Sequence, residues 1–88
     1  MVDLDTNEKP RLIISPNPGI DWVDIRRRGP CSESAKIEIL DARGVRLKFL
    51  TTDFQTPERV DTSDLLPGVY IIKTEMCQGS YLNTWVKQ

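Results

Sequence analysis

The stretch Leu65-Leu66-Pro67-Gly68-Val69-Tyr70-Ile71-Ile72-Lys73 constrains the fold more than any other part of the chain. Pro67 presets one backbone angle and Gly68 tolerates a positive φ, so the pair ends what precedes it and launches a new direction. Val69 to Ile72 are β-branched or aromatic without a break, which predicts a strand with apolar neighbours on both faces, central between two packed layers.

The remaining segments follow the same logic. Arg11-Leu12-Ile13-Ile14-Ser15 is a short β-favouring run stopped by Pro16-Asn17-Pro18-Gly19. In Trp22-Val23-Asp24-Ile25-Arg26, Val23 and Ile25 share one face, while Trp22 turns the other way or sits at the rim. Ala35 to Leu40 alternates Ile37 and Ile39 against Lys36 and Glu38. Asp41-Ala42-Arg43-Gly44 then fits a type I turn that closes a hairpin with a bulge, Gly44 taking the left-handed position. The returning strand places Val45, Leu47 and Phe49 on the predicted inner face. Glu58 to Thr62 reads as an edge strand with the single inward residue Val60. After Gly68 to Met76, the turn Met76-Cys77-Gln78-Gly79 repeats the earlier hairpin pattern, with Gly79 in the role of Gly44, and a last strand covers Ser80 to Gln88. The expected fold is an all-β, seven-stranded immunoglobulin-like antiparallel β-sandwich. Tyr70, just inside the central strand, is open to a corner role or to being a buried tyrosine satisfied by a nearby carbonyl.

Composition narrows the function classes. The chain has 88 residues, enough for one small domain with little room for an enclosed active site. Its 12 basic and 13 acidic side chains are interspersed at a net charge of −1, so no overall field points towards nucleic acid or an anionic membrane. Arg26-Arg27-Arg28 is the only basic run and reads first as a solvated strand end, against a basic patch for some anionic group. With no histidine, no serine or cysteine beside an evident base, and acids scattered over turns, neither catalysis nor a cofactor is expected. Asp53, Asp61 and Asp64 lack the alternating ligand loop of a calcium site and are assigned turn roles, so no metal is expected. Cys31 and Cys77 are too few for a disulfide framework and wrongly spaced for zinc; a single bridge between them in an oxidising compartment is left open. No apolar run is long enough for a membrane helix, and no basic and apolar signal segment follows Met1, so the chain is expected neither to span a membrane nor to target itself; if it is exported, it is the downstream part of a larger precursor.

Taken together, Pro16-Asn17-Pro18, Ile37 to Leu47 with its Asp41 and Gly44 turn, Leu65 to Lys73, and the closing Val86-Lys87-Gln88 resemble one family, the C-terminal sorting domains of type IX (Por) secretion system cargo proteins. The resemblance covers residues 13–88, and it rests on the order and spacing of these motifs. It implies a domain that directs an attached N-terminal cargo out of the periplasm and across the outer membrane, to the cell surface or beyond. The implied partners are the outer-membrane translocon and its attachment complex, whose sortase usually removes the domain in the preceding linker, here residues 1–12, and often transfers the cargo to surface lipopolysaccharide. The cysteines lie outside the family pattern. So does Asn83-Thr84, where basic residues are usual; this leaves Lys87 as the main charge near the end.

An address must offer a surface that one receptor can read on many cargoes. Unpaired strand backbone and a terminal carboxylate provide one, which makes Val86, Lys87 and Gln88 the candidate recognition residues. The competing reading makes Trp85 and Val86 core and Lys87 merely solvated. The loop Pro16-Asn17-Pro18 is a second candidate surface, whereas Asp41, Gly44, Pro67, Gly68 and Gly79 are assigned to turns. An edge strand also offers a route to a weak homodimer. The alternative from another class is a retained immunoglobulin-like structural or adhesive binding module.

Overall fold

The computed structural model describes residues 9–88, so most of the expected linker lies outside the described residues. Seven strands form: β1 (Arg11–Ser15), β2 (Trp22–Arg28), β3 (Ala35–Leu40), β4 (Arg46–Thr52), β5 (Glu58–Asp61), β6 (Gly68–Met76) and β7 (Gly79–Lys87). They pair antiparallel into a three-stranded sheet of order β1-β2-β5 and a four-stranded sheet of order β4-β3-β6-β7. The two-sheet arrangement is the expected sandwich, and its strand order is compatible with an immunoglobulin-like topology.

The core lies where the inner faces meet. Val23 and Ile25 of β2, Ile37 and Ile39 of β3, Ile72 of β6 and Trp85 of β7 are fully buried, joined by Val60 and Tyr70. Each alternates with outward neighbours, as a strand with one face in the core requires. Glu58–Asp61 is the outer strand of its sheet and contributes only Val60, as expected. The Tyr70 hydroxyl donates to the carbonyl of Leu66, tying the start of β6 back to the segment before it in the manner of a tyrosine corner.

Three local expectations are corrected. First, Leu47 and Phe49 point outwards, 41% and 50% exposed, with Val45 also exposed, while Leu50 faces the core opposite Ile37. The turn itself is as read: Gly44 has φ 90°, its N–H donates to Asp41 O, and the Asp41 carboxylate accepts from the N–H groups of Arg43 and Val45. The accompanying bulge between Ile39 and Leu40 shifts the register, and a shift of one residue exchanges the two faces of β4. Lys48 thereby faces inwards on an edge strand and reaches Asp64 at 3.1 Å. Second, β6 is interior to its sheet but not covered on both faces, since Val69 is 49% exposed. Its apolar outer neighbours are lateral, Leu40 on β3 and Val86 on β7. Third, the β6–β7 hairpin turns on Cys77 and Gln78, with φ of 46° and 62°, and Gly79 is the first residue of β7, paired with Met76. Two consecutive left-handed residues make this a two-residue hairpin loop of the type that matches strand twist.

Cys31 and Cys77 form a disulfide, with Cα atoms 6.1 Å apart. It joins the β2–β3 loop to the β6–β7 turn and so fastens the two sheets at one end. Beside it, Arg27 is half-buried and donates to Glu33 O at 2.6 Å and Asp53 O at 3.0 Å, with its guanidinium 4.9 Å from the Phe54 ring. This arginine is a structural tie, not part of a solvated strand end.

Candidate functional site

The two candidate surfaces, the Pro16-Asn17-Pro18 loop and the last strand, meet at one end of the sandwich. The Asn17 side chain lies along the open edge of β7. Its Nδ2 donates to Thr84 O at 3.0 Å and its Oδ1 accepts from Val86 N at 3.0 Å. A carboxamide has the donor and acceptor of a peptide group, so Asn17 pairs with β7 as a strand residue would. Gly19 continues the pairing through its backbone, donating to Val86 O at 2.9 Å and accepting from Gln88 N at 2.8 Å. The outward backbone groups at Thr84, Val86 and Gln88 are thus engaged, which corrects the expectation that this end of the strand offers unpaired backbone.

The clamp has a rigid floor. Trp85 is fully buried and its indole N–H donates to Pro16 O at 2.7 Å. Gly19 passes so close that a Cβ placed on it would lie 2.8 Å from Trp85 Cζ2, which leaves glycine as the residue that fits. Lys87 is only 6% exposed and its Nζ donates to Thr62 O at 2.6 Å. The expectation of a solvated, readable charge at Lys87 therefore does not hold, because the ammonium is turned under the β5–β6 connection. Asp61, near it, is held below the ordinary carboxyl value of 3.8 chiefly by the backbone and side-chain hydrogen bonds of Ser63, with Lys48 and Lys87 adding to the effect. Val86 is half-buried on the outer face and Gln88 is exposed.

Pro16, Pro18, Ile20, Trp22 and Gln88 border a cavity of about 300 Å³ beside the clamp. Ile20 is 59% and Trp22 39% exposed, so the rim is apolar and accessible. The sequence flagged Trp22 only as a rim residue and did not single out Ile20; the signal available was an apolar residue directly after a Pro-rich turn. Gly68 pairs with Lys87, and the Tyr70 ring lies 6.2 Å from that of Trp85, so both support the clamp from β6. Pro67 precedes β6, Asp41 and Gly44 hold the β3–β4 hairpin, and Gly79 heads β7 at its far end. These four shape the fold rather than the clamp.

A second accessible surface is the outer face of the four-stranded sheet, where Leu47, Phe49, Val69 and Leu82 are exposed. The carboxylates are engaged locally. Asp41 is held below 3.8 by the Val45 N–H and by Arg43, Asp53 accepts from Gln55 N, and Asp24 is bridged by Arg59 Nε at 2.7 Å and Nη2 at 2.9 Å. What this end can do chemically is present a shaped apolar and amide surface to a protein.

Residues 13–88 match the model of a family described as the secretion system C-terminal sorting domain. No curated protein sequence matches the chain.

Proposed function

The chain belongs to the family of type IX secretion C-terminal sorting domains, and from that premise we propose that its address is read as the folded clamp rather than as a linear tail. The domain is a C-terminal sorting signal for type IX secretion, attached to an N-terminal cargo, and the family is not one of enzymes. The observation that carries the proposal is the pairing of Asn17 and Gly19 with Thr84, Val86 and Gln88. It makes the exposed Gln88, the flank of Val86 and the rim of Pro18, Ile20 and Trp22 one continuous surface, with Lys87 acting from beneath as the anchor that fixes it.

The receptor for this surface is the outer-membrane translocon and its attachment complex. Removal by the sortase takes place before Pro10, because Pro10 is buried and Arg11 already belongs to β1, whereas a protease needs an exposed, extended substrate. The cargo then reaches the outer surface or the medium.

The test is a reporter carrying an N-terminal export signal and a folded passenger ahead of residues 1–88, expressed in a bacterium with a type IX system. Deleting Lys87 and Gln88 and substituting Asn17→Ala should each reduce surface or medium delivery, the second without touching the terminal residues. Normal delivery by Asn17→Ala together with loss on deletion means a linear signal. Normal delivery by the deletion removes the strand end from recognition altogether.

A further inference from the structure

We infer that the outer face of the three-stranded sheet is a docking surface for phosphate-bearing lipid headgroups, formed by Arg11, Arg26 and Arg28. Strand alternation divides the basic run of β2. Arg27 turns inwards to Glu33 O and Asp53 O, while Arg26 and Arg28 stay exposed on the outer face. The neighbouring strand replaces the lost charge: Arg11 is the cross-strand partner of Arg28, and Ile13 that of Arg26. Like charges placed opposite each other on an antiparallel pair destabilise it, so packing gives no reason for this pairing.

Among the described residues none of the three is in an ion pair. Asp24 is the nearest carboxylate on the face, and both its oxygens are engaged by Arg59. Asp61, further along, accepts from the Ser63 N–H and hydroxyl. Among the described residues three guanidinium forks without an ion-pair partner therefore share this face of the β1–β2 pair, and the planar fork matches phosphate geometry in two-point contact. Exposed Ile13, 41% accessible and the cross-strand partner of Arg26, shares the face and suits the boundary between headgroups and acyl chains. Charges interspersed along the sequence are thus segregated on the surface, and a net charge of −1 does not prevent local attraction. The patch lies at the end of the β1–β2 pair away from the Pro16–Gly19 loop, so it stands or falls independently of the clamp.

The experiment is co-sedimentation of the 88-residue chain with phosphatidylcholine vesicles, with and without phosphatidylglycerol, at low salt. Binding to the anionic vesicles is expected to weaken about fivefold per arginine removed and roughly a hundredfold in the triple variant Arg11→Ser, Arg26→Ser, Arg28→Ser. A control with the same charge change on the other sheet, Lys36→Ser, Arg46→Ser, Lys73→Ser, should retain binding. Thermal unfolding and the intact Cys31–Cys77 bridge report that each variant is folded. No binding to phosphatidylglycerol vesicles overturns the inference, as does equal loss in both triple variants. Full displacement by inorganic phosphate at matched ionic strength assigns the patch to a free anion and overturns it too. Retention on immobilised polyglutamate but not on vesicles assigns the face to an acidic protein, with the same result.

Discussion

Breaking the Cys31–Cys77 bridge should remove about 4 kcal/mol of stability. The two cysteines are 46 positions apart, and loop closure at that length contributes about 4 kcal/mol by restricting the unfolded chain. The whole domain is expected to be worth roughly 4 to 13 kcal/mol at this size, so the bridge is a third of the total or more. Both cysteines are half-buried at one end of the sandwich, which keeps any packing loss on substitution to alanine small beside the entropic effect. The assay is urea unfolding of the oxidised chain against Cys31→Ala, Cys77→Ala and the double variant. With a slope of about 1.5 kcal/mol per molar, the midpoint should fall by roughly 2.5 M, with a somewhat steeper slope because the released chain expands on unfolding. All three variants should lose the same amount, since each breaks the same covalent link. A loss below about 1 kcal/mol in the single variants, or a double variant that loses the sum of two separate effects, would refute the loop-closure account.

Further outcomes follow from the same geometry. Asn17→Ala deletes two hydrogen bonds to β7 and should cost about 1 to 3 kcal/mol, measured by thermal or urea unfolding. Gly19→Ala forces a Cβ against Trp85 and should cost a similar 1 to 3 kcal/mol or so, with a change in tryptophan fluorescence. Thr74 is fully buried and its hydroxyl has no partner among the described residues, so Thr74→Val should stabilise the domain by about 1 kcal/mol or more. Asp24, Asp41 and Asp61 all titrate below the ordinary 3.8 in the folded state, by hydrogen bonds from Arg59, Val45 and Ser63 respectively. The unfolded chain then binds more protons as the medium acidifies. The stability these carboxylates contribute is therefore complete above pH 3.8 and is lost as the pH falls through their lowered folded values, visible as a declining unfolding midpoint.

β3 was legible because hydrophobic alternation reports one buried face, and β6 because the Pro67-Gly68 turn opens an unbroken apolar run; both begin and end where the sequence places them. The Asp41–Gly44 turn was legible too, since it is determined by residues within four positions of one another. What the sequence hid depends on register and on distant partners. The apolar residues of β4 alternate cleanly, yet a bulge at Leu47 of the same strand, left without a partner between Arg46 and Lys48, decides which set goes inside, and the set with Phe49 loses to Leu50. The Cys77-Gln78 turn contains no glycine at its left-handed positions, so the usual marker was displaced to Gly79. Both candidate surfaces were found separately, but nothing in either segment says that Asn17 closes the edge of a strand 67 positions away. Lys87 reads as exposed because lysine usually is, and only the carbonyl of Thr62 in the third dimension makes its burial tolerable.

The span of the clamp has a kinetic meaning. Contacts between Asn17 and Thr84 or Val86 bridge 67 and 69 positions, nearly the whole domain, and pairings of such separation are costly to form because loop closure must precede them. A chain still emerging, nicked in a loop and fallen apart, or short of its final strand leaves Asn17 with nothing to hold and the Trp85 indole without the Pro16 carbonyl. A receptor that grips this assembly is thereby also testing that every strand between the two ends has been made and has folded, and its recognition step serves as an inspection of the finished product before departure.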